Sequence, residues 1–436
     1  MIDKKLRVLV FPAGTEIALE IHNALKNCKF IELIGATSVP CHASYVFKHM
    51  INGYLPFADD PSFIPHLRAL LDVCKIDYIY PAHDSALYTL TLHQDKLPVP
   101  VVTSALETVE ICRSKMLTYK FLREKNAWYL PKVFKNRTLV TEYPVFVKPS
   151  VGQGSDGAQI ARSREELDLI MDNATKEYVI CEYLPGEEIT VDCFTDRTGK
   201  LRYVGERTRE RIRAGIAVRS KMLYPRDPKI YKIAQDLHQA FRFNGAWFFQ
   251  MKLDKNDEWK LLEVAPRIAG TMGLTRNLGV NMPLMTMYNM LGKDVEIISN
   301  DEEIALDRAF ISRFRHDIEY DTVYIDFDDT IVQDGEVNPM VIAYLYQADA
   351  KGKRIILLTR HNGNIYDDLE KYHIDPLLFD AVISVSNRSG KVDYIARFER
   401  AIFIDDSFSE RMAVVDDLGI PVFDVDMVES LIDWRA

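Results

Sequence analysis

Apolar residues fall into short runs separated by amphipathic stretches, and their spacing predicts alternating strands and helices at both ends of the chain. Leu6 to Phe11 is an apolar run rich in β-branched residues, Glu16 to Leu25 has helical spacing, and Ile31 to Thr37 is a second strand-like run. Phe63 to Cys74 reads as helix, and Tyr78 to Pro81 as a strand ending in the polar tip Ala82-His83-Asp84. That rhythm predicts a parallel sheet covered by helices. Residues 105–130 look helical. From 144 to 270 the pattern changes to short β-rich runs with glycine-bearing turns, an α+β signature. Met282 to Leu291 is apolar and helical in pattern. After the charged stretch Arg315 to Tyr320, buried-strand signals return at Val323-Tyr324-Ile325, Arg354 to Leu358, Ala381-Val382-Ile383 and Ala401 to Ile404. The fold class expected is α/β and α+β multidomain, with about three domains in 436 residues.

Charge and composition narrow this. A net charge of -10 argues against sequence-independent binding to nucleic acid or to an anionic membrane. No apolar run reaches the ~18 residues a spanning helix needs. The N-terminus leads straight into a strand-like segment, so a cytoplasmic protein is expected. The six cysteines, Cys28, Cys41, Cys74, Cys112, Cys181 and Cys193, include no C-x-x-C pair and read as reduced thiols. Pro12-Ala13-Gly14-Thr15 after the first strand lacks G-x-G-x-x-G, which disfavours a dinucleotide site.

The first candidate chemistry lies in Val147-Lys148-Pro149-Ser150-Val151-Gly152-Gln153-Gly154-Ser155-Asp156-Gly157. Glycines let backbone N–H groups approach phosphate oxygens, and a lysine at the base neutralises their charge. There is no Walker G-K-[ST]. A glycine-rich hairpin beside a surface lysine is the plain alternative. Downstream come Glu182-Tyr183-Leu184-Pro185-Gly186-Glu187-Glu188, then Phe249-Gln250, then Glu263-Val264-Ala265-Pro266-Arg267.

In that order these motifs resemble the ATP-grasp superfamily, in its carbamoyl-phosphate synthetase-like and carboxylate–amine ligase branches, over residues 1–315. The resemblance implies a Rossmann-like pre-ATP-grasp domain at 1–112 and an ATP-grasp domain at 113–318. It implies that Lys115 and Lys148 contact phosphates, with Gly154 and Ser155 in the loop above them. Glu182, Tyr183 and Leu184 would hold the adenine edge and Glu188 the ribose; Gln250 and Glu263 would bind Mg2+, or Mn2+ in its place; Arg267 would meet the transferring phosphoryl. Relatives often carry Asn where this chain has Ala265, so a water or Asp254 would have to complete the metal shell. The reaction implied is acyl phosphate formation from a carboxylate, followed by attack of an amine. Arg207, Arg209, Arg211 and Arg213 recur at spacing two, which on a strand places them on one face. Arg209 and Arg211 are the expected carboxylate binders, with His83 and Asp84 as weaker candidates; a solvated edge strand is the alternative.

The second candidate chemistry is Asp326-Phe327-Asp328-Asp329-Thr330, answered by Thr359, Ser389-Gly390-Lys391 and Asp405-Asp406. Alternation would put Asp326 and Asp328 on one side of a strand end, where a bound cation relieves their repulsion. Thr330 and Ile331 do not fit an EF-hand loop. All four elements, in order, resemble the haloacid dehalogenase (HAD) superfamily over residues 322–436, implying an HAD-like Rossmannoid domain at 319–436 without a large cap. The resemblance makes Asp326 the nucleophile and Asp328 the acid–base. Thr359 and Lys391 become phosphate ligands, and Asp326, Asp328, Asp405 and Asp406 the Mg2+ site. The whole chain then reads as a bifunctional ligase and phosphatase using ATP and Mg2+ on small-molecule carboxylate and amine substrates, with a homodimer as the default assembly. A small-molecule kinase with the same phosphatase, or a nucleotide-binding scaffold with an inactive site, are the alternatives.

Overall fold

Strand β1 forms over Leu6–Phe11, the first apolar run, and its last four residues are buried. The computed structural model describes residues 4–435, apart from 153, 155, 225, 301 and 386–388. Thr15 caps α1 (Glu16–Leu25) by accepting from the Ala18 N–H, which satisfies one of the free donors of the first turn. β2 (Ile31–Ala36), β3 (His49–Ile51), α2 (Phe63–Cys74), β4 (Tyr78–Pro81) and α3 (Asp84–Leu92) follow. The four strands make a parallel sheet in the order β3-β2-β1-β4. Because β2 and β4 flank β1, the carboxyl ends of β1 and β4 lie where the chain reverses direction across the sheet, the usual ligand side of such folds.

The helical stretch expected over 105–130 is two helices, α4 (Leu106–Arg113) and α5 (Lys115–Glu124), parted at Ser114, which caps α5. β5 (Val133–Phe134), β6 (Val145–Pro149), β7 (Gln159–Ala161), α6 (Arg164–Asp172) and β8 (Tyr178–Glu182) complete one small layer, in sheet order β5-β8-β6-β7. Next come β9 (Glu188–Thr195), β10 (Leu201–Thr208), β11 (Arg211–Arg213), β12 (Ile216–Lys221), α7 (Pro228–Ala240), β13 (Gly245–Leu253) and β14 (Trp259–Ala265). β10-β9-β13-β14 is an antiparallel sheet. α8 (Gly273–Asn277), α9 (Met282–Met290) and β15 (Ala305–Asp307) end this part, β15 pairing with β12. One apolar core joins Ile17 and Ile21 of α1 with Phe248 of β13 and Met282 and Met285 of α9. Each such buried side chain is worth about 1.5–3 kcal/mol.

The chain divides between Phe310 and Ile311. The expected domains at 1–112 and 113–318 fall in the first unit as far as Phe310, and 311–318 falls in the second. In the second, β16 (Thr322–Ile325), a two-residue-strand hairpin of β17 (Val332–Gln333) and β18 (Glu336–Val337), α10 (Pro339–Ala350), β19 (Arg354–Thr359), α11 (Ile365–Lys371), β20 (Ala381–Ser384), β21 (Ala401–Ile404), α12 (Phe408–Leu418) and β22 (Val422–Phe423) follow in order. The parallel sheet runs β20-β19-β16-β21-β22. Val323 and Ile325 pack with Val341 and Leu345 of α10, while Tyr324 packs with Val414 of α12. Burial on both faces explains why these strands read as unbroken apolar runs. β16 sits between β19 and β21, so the carboxyl ends of these three strands converge at a second reversal point.

Candidate functional site

In the first unit a cavity of about 240 Å3 opens between the β5–β8 layer and the β10-β9-β13-β14 sheet. Its lining includes Lys115, Lys148, Glu182, Glu188, Gln250 and Glu263, with Phe146, Ile160 and Leu262 as apolar walls. Lys148 is the penultimate residue of β6 and is buried. Its Nζ donates to Tyr119 Oη (2.9 Å) and to the Leu262 carbonyl (3.1 Å). Both partners are neutral, and burial pushes the ammonium below its ordinary pKa. Lys115 opens α5; its Nζ donates to the Gly152 carbonyl at 2.8 Å and stands 4.0 Å from the Glu263 carboxylate. Among the described residues, four cations (Lys115, Lys148, Arg209 and Lys252) and four carboxylates (Asp156, Glu182, Glu188 and Glu263) line the cavity, so charges of both signs face it.

Gln250 and Glu263 are register partners on β13 and β14, so both reach the cavity from one place on the sheet. Glu188 is held by Arg209 Nε (2.6 Å) and Lys252 Nζ (3.6 Å), and Arg209 Nη2 donates to the Gly215 carbonyl (2.9 Å). Glu182 accepts from the Lys132 N–H at 2.7 Å. Tyr183 and Leu184 line the same rim. Gly154 and Gly215 meet backbone to backbone there: a Cβ on Gly215 would lie 2.1 Å from the Gly154 carbonyl carbon. Both glycines have positive φ, 64° and 74°.

In the second unit, Asp326 follows β16, Asp405 follows β21, and Lys391 Nζ sits between them at 2.8 Å and 2.6 Å. All three are buried, and Thr359 at the end of β19 is fully so. Carboxylate oxygens of Asp326, Asp405 and Asp406 lie within 4.8 Å of one another. Burial raises the Asp326 carboxyl despite Lys391 beside it. Burial and the neighbouring Asp326 lift Asp405 to about 6. Hard oxygen donors at this spacing fit a small divalent cation. Asp406 N–H donates to Thr330 Oγ1 (3.1 Å), which holds its backbone, and Ser407 N–H donates to Asp405 Oδ1 (2.8 Å), which orients that carboxylate.

A family model described as "ATP-grasp in the biosynthetic pathway with Ter operon" matches residues 174–308. Similar solved structures include biotin carboxylase from Campylobacter jejuni in a β-γ-ATP complex (16% identity, TM-score 0.54, covering 66% of this chain and 72% of that one). The biotin carboxylase domain of Hydrogenobacter thermophilus 2-oxoglutarate carboxylase, with MgADP, ADP and bicarbonate, is 17% identical, TM-score 0.55, covering 68% and 71%. N5-carboxyaminoimidazole synthetase from Staphylococcus aureus, complexed with ADP, is 14% identical, TM-score 0.56, covering 67% and 79%. About two thirds of the chain thus shares the ATP-grasp fold. No curated protein sequence matches.

Within the ATP-grasp fold, the cavity gathers Lys115, Lys148, Gly154, Glu182, Tyr183, Leu184, Glu188, Arg209, Gln250 and Glu263 as the sequence suggested. Ser155, expected beside them, lies outside the described residues. Four expectations are corrected. The arginines do not share a strand face: β10 ends at Thr208 and β11 begins at Arg211. Arg207 is wholly buried and paired with Asp192 (2.8 Å), whereas the exposed Arg211 pairs with Asp307 away from the cavity. Arg267 is absent from the lining. Its Nε and Nη2 donate to both oxygens of Asp84 at 2.5 and 2.7 Å, at the reversal point of the parallel sheet. That guanidinium outweighs burial and holds the Asp84 carboxyl below its ordinary pKa, and His83 caps α3.

The third correction is Asp254, which turns the β13–β14 hairpin by accepting from Asn256 and Glu258 N–H groups (2.8 and 3.0 Å), so it does not stand in for a ligand at Ala265. Ala265 itself is part of an apolar core. The fourth is Asp328. Its half-exposed carboxylate stays out of the trio and meets His361 Nδ1, 3.0 Å from each oxygen. Lys391 opens a single 3-10 turn, Lys391–Tyr394. Tyr119 and His361 were missed from sequence. Tyr119 lies four residues beyond Lys115 on α5, a helical spacing that puts both on one face. His361 carries no spacing signal.

Proposed function

We propose that the first unit is an ATP-dependent, ADP-forming ligase that joins a carboxylate to an amine. The carrying observation is the single cavity in which two lysines, a glycine loop and the Gln250–Glu263 pair meet beside an apolar slot. Phe146, Ile160 and Leu262 suit an adenine, and the Glu182–Leu184 backbone its edge. Lys115 and Lys148 would neutralise phosphate oxygens, and Glu188 would take the ribose. Gln250 and Glu263 would hold Mg2+, which when bound screens charge between the phosphates. A substrate carboxylate oxygen attacks the γ-phosphorus and the bond to ADP breaks. The amine nitrogen then attacks the acyl carbon, the bond to phosphate breaks, and the amine loses a proton. The chain's part is positioning and charge neutralisation. Arg267 reaches the phosphoryl only if it shares its fork with Asp84. Arg209, at the cavity wall, is the carboxylate binder retained.

The second unit we read as a Mg2+-dependent phosphohydrolase of the HAD type. Asp326 attacks phosphorus and the bond to the leaving oxygen breaks, Asp328 supplying its proton; water then attacks phosphorus, gives a proton to Asp328, and frees Asp326. Asp326, Asp405 and Asp406 would hold the cation, while Lys391 and Thr359 hold phosphate oxygens. Among the described residues no helix is long and apolar enough to cross a membrane. The substrates are small molecules, and a homodimer fits the dimeric carboxylase domain in one similar structure.

Incubation with ATP, Mg2+ and pools of carboxylates and amines tests the ligase: ADP release should rise with one pool. No rise with the fold intact would sink the reading, and a product heavier by a phosphate would make the enzyme a kinase. For the second unit, Asp326→Asn should reduce hydrolysis of p-nitrophenyl phosphate by at least about a thousandfold; retained turnover would remove the nucleophile assignment.

A further inference from the structure

His361 stands between two carboxylates that no strand brings together. Nδ1 is 3.0 Å from both oxygens of Asp328, and Nε2 is 2.7 Å from Asp368 Oδ2. Ionised carboxylates only accept hydrogen bonds, so both ring nitrogens are used as donors. The ring is nearly buried, with a side chain 10% exposed, and stands edge-on to Phe327 at 5.5 Å between centroids. Asp328 is 51% exposed and would otherwise sample several rotamers. The backbone leading into His361 is anchored. Thr359 ends β19, and the Arg360 fork donates to Glu410 Oε1 (2.9 and 2.8 Å) and to the Ser389 carbonyl (2.6 Å). Asp368, on α11, is held in turn by Lys371 at 3.5 Å.

We propose that His361 is a positioning residue for the phosphohydrolase: through Nδ1 it fixes the Asp328 carboxylate in the orientation for proton transfer, and Asp368 fixes the ring through Nε2. The proposal rests on the phosphohydrolase reading. An acid–base group contributes only when its oxygen is within reach of the leaving atom, and about 1 Å of misplacement costs on the order of a hundredfold. A mobile, half-exposed Asp328 would meet that condition in a fraction of its rotamers. The His361 tether removes that freedom: Nδ1 can hold one Asp328 oxygen in either protonation state, and the other oxygen is left to carry the proton.

The test uses the full chain and two phosphate esters, p-nitrophenyl phosphate and phenyl phosphate. The second has the poorer leaving group and depends more on the proton from Asp328. His361→Ala should lower kcat about tenfold to a hundredfold on phenyl phosphate and less on p-nitrophenyl phosphate, with KM unchanged. An asparagine amide can replace the Nδ1 donor and a glutamine amide the Nε2 donor. His361→Asn should therefore recover part of kcat and His361→Gln should not. Asp368→Asn, which leaves His361 in place, should give the same leaving-group dependence with a smaller loss. Equal losses on both esters, equal rescue by Asn and Gln, or unchanged kcat in His361→Ala would overturn the proposal. If Asp326→Asn stays active, the phosphohydrolase reading itself has failed, and the two failures are told apart.

Discussion

Two buried lysines show how differently the units treat charge. Lys391 lies between Asp326 and Asp405 at hydrogen-bond distance from each. Lys148, equally buried, has a hydroxyl and a carbonyl for partners. A cation between two carboxylates has its partners supplied within the fold. A cation with neutral partners is an incomplete pair whose anion comes from outside. The cavity around Lys148, about 240 Å3, has apolar and charged walls, whereas the Asp326 cluster is a compact knot at strand ends. This contrast is what the proposal of a nucleotide site in one unit and a phosphoryl site in the other has to explain.

The contrast is sharpest in removal. Lys391→Met leaves two carboxylates buried side by side and should destabilise the second unit by about 3–5 kcal/mol, seen as lost amide protection in β16 and β21 by hydrogen exchange. Lys148→Met should leave the first unit within about 1 kcal/mol of wild type, because no buried anion loses its partner. Equal destabilisation by the two would erase the distinction.

Glu206 carries the comparison to a buried anion. Its carboxylate accepts from the Asp227 N–H, and burial lifts it to about 7. A carboxyl raised on folding favours the protonated native state. Its contribution is complete below the ordinary carboxylate pKa and is lost as pH rises through about 7. Unfolding of the first unit should therefore cost less at pH 8 than at pH 5, by on the order of 3 kcal/mol from this group. Glu206→Gln should flatten that profile in denaturant titrations. An unchanged profile would mean that the carboxyl titrates normally.

A smaller effect is expected on binding. Lys148→Met should weaken ATP by about tenfold to a hundredfold in calorimetry, the worth of one charge-assisted contact. Unchanged affinity would move the phosphates elsewhere. The least effect belongs to Arg211→Ala: a change within about 0.5 kcal/mol in stability and none in ATP affinity, since its pair with Asp307 is exposed. A loss matching that of Arg209→Ala would restore the single-face reading of the arginines.

The parallel strands were legible because burial on both faces writes itself as an unbroken apolar run, as in Val323-Tyr324-Ile325. The cavity residues were legible as an ordered series of motifs. The arginine face was not, because spacing two has meaning only inside one strand, and the chain leaves β10 at Thr208. Asp254 looked available because a sequence shows a carboxylate but not the two N–H groups that already occupy it. Tyr119 to Lys148 and His361 to Asp328 are contacts made by tertiary packing, and nothing local records them.

The meeting of Gly154 and Gly215 has a bearing on how this sequence can vary. With 2.1 Å available, not one methyl group fits between the two turns, and a positive φ at each position already disfavours any side chain. In a saturation library, position 215 should tolerate less than the charged residues around it, although it offers no atom to a ligand beyond its backbone. Lysines and glutamates on the rim can drift and leave a cavity of altered taste; a substitution at 215 moves the wall itself. The shape of the site is thus inherited through a residue with no side chain.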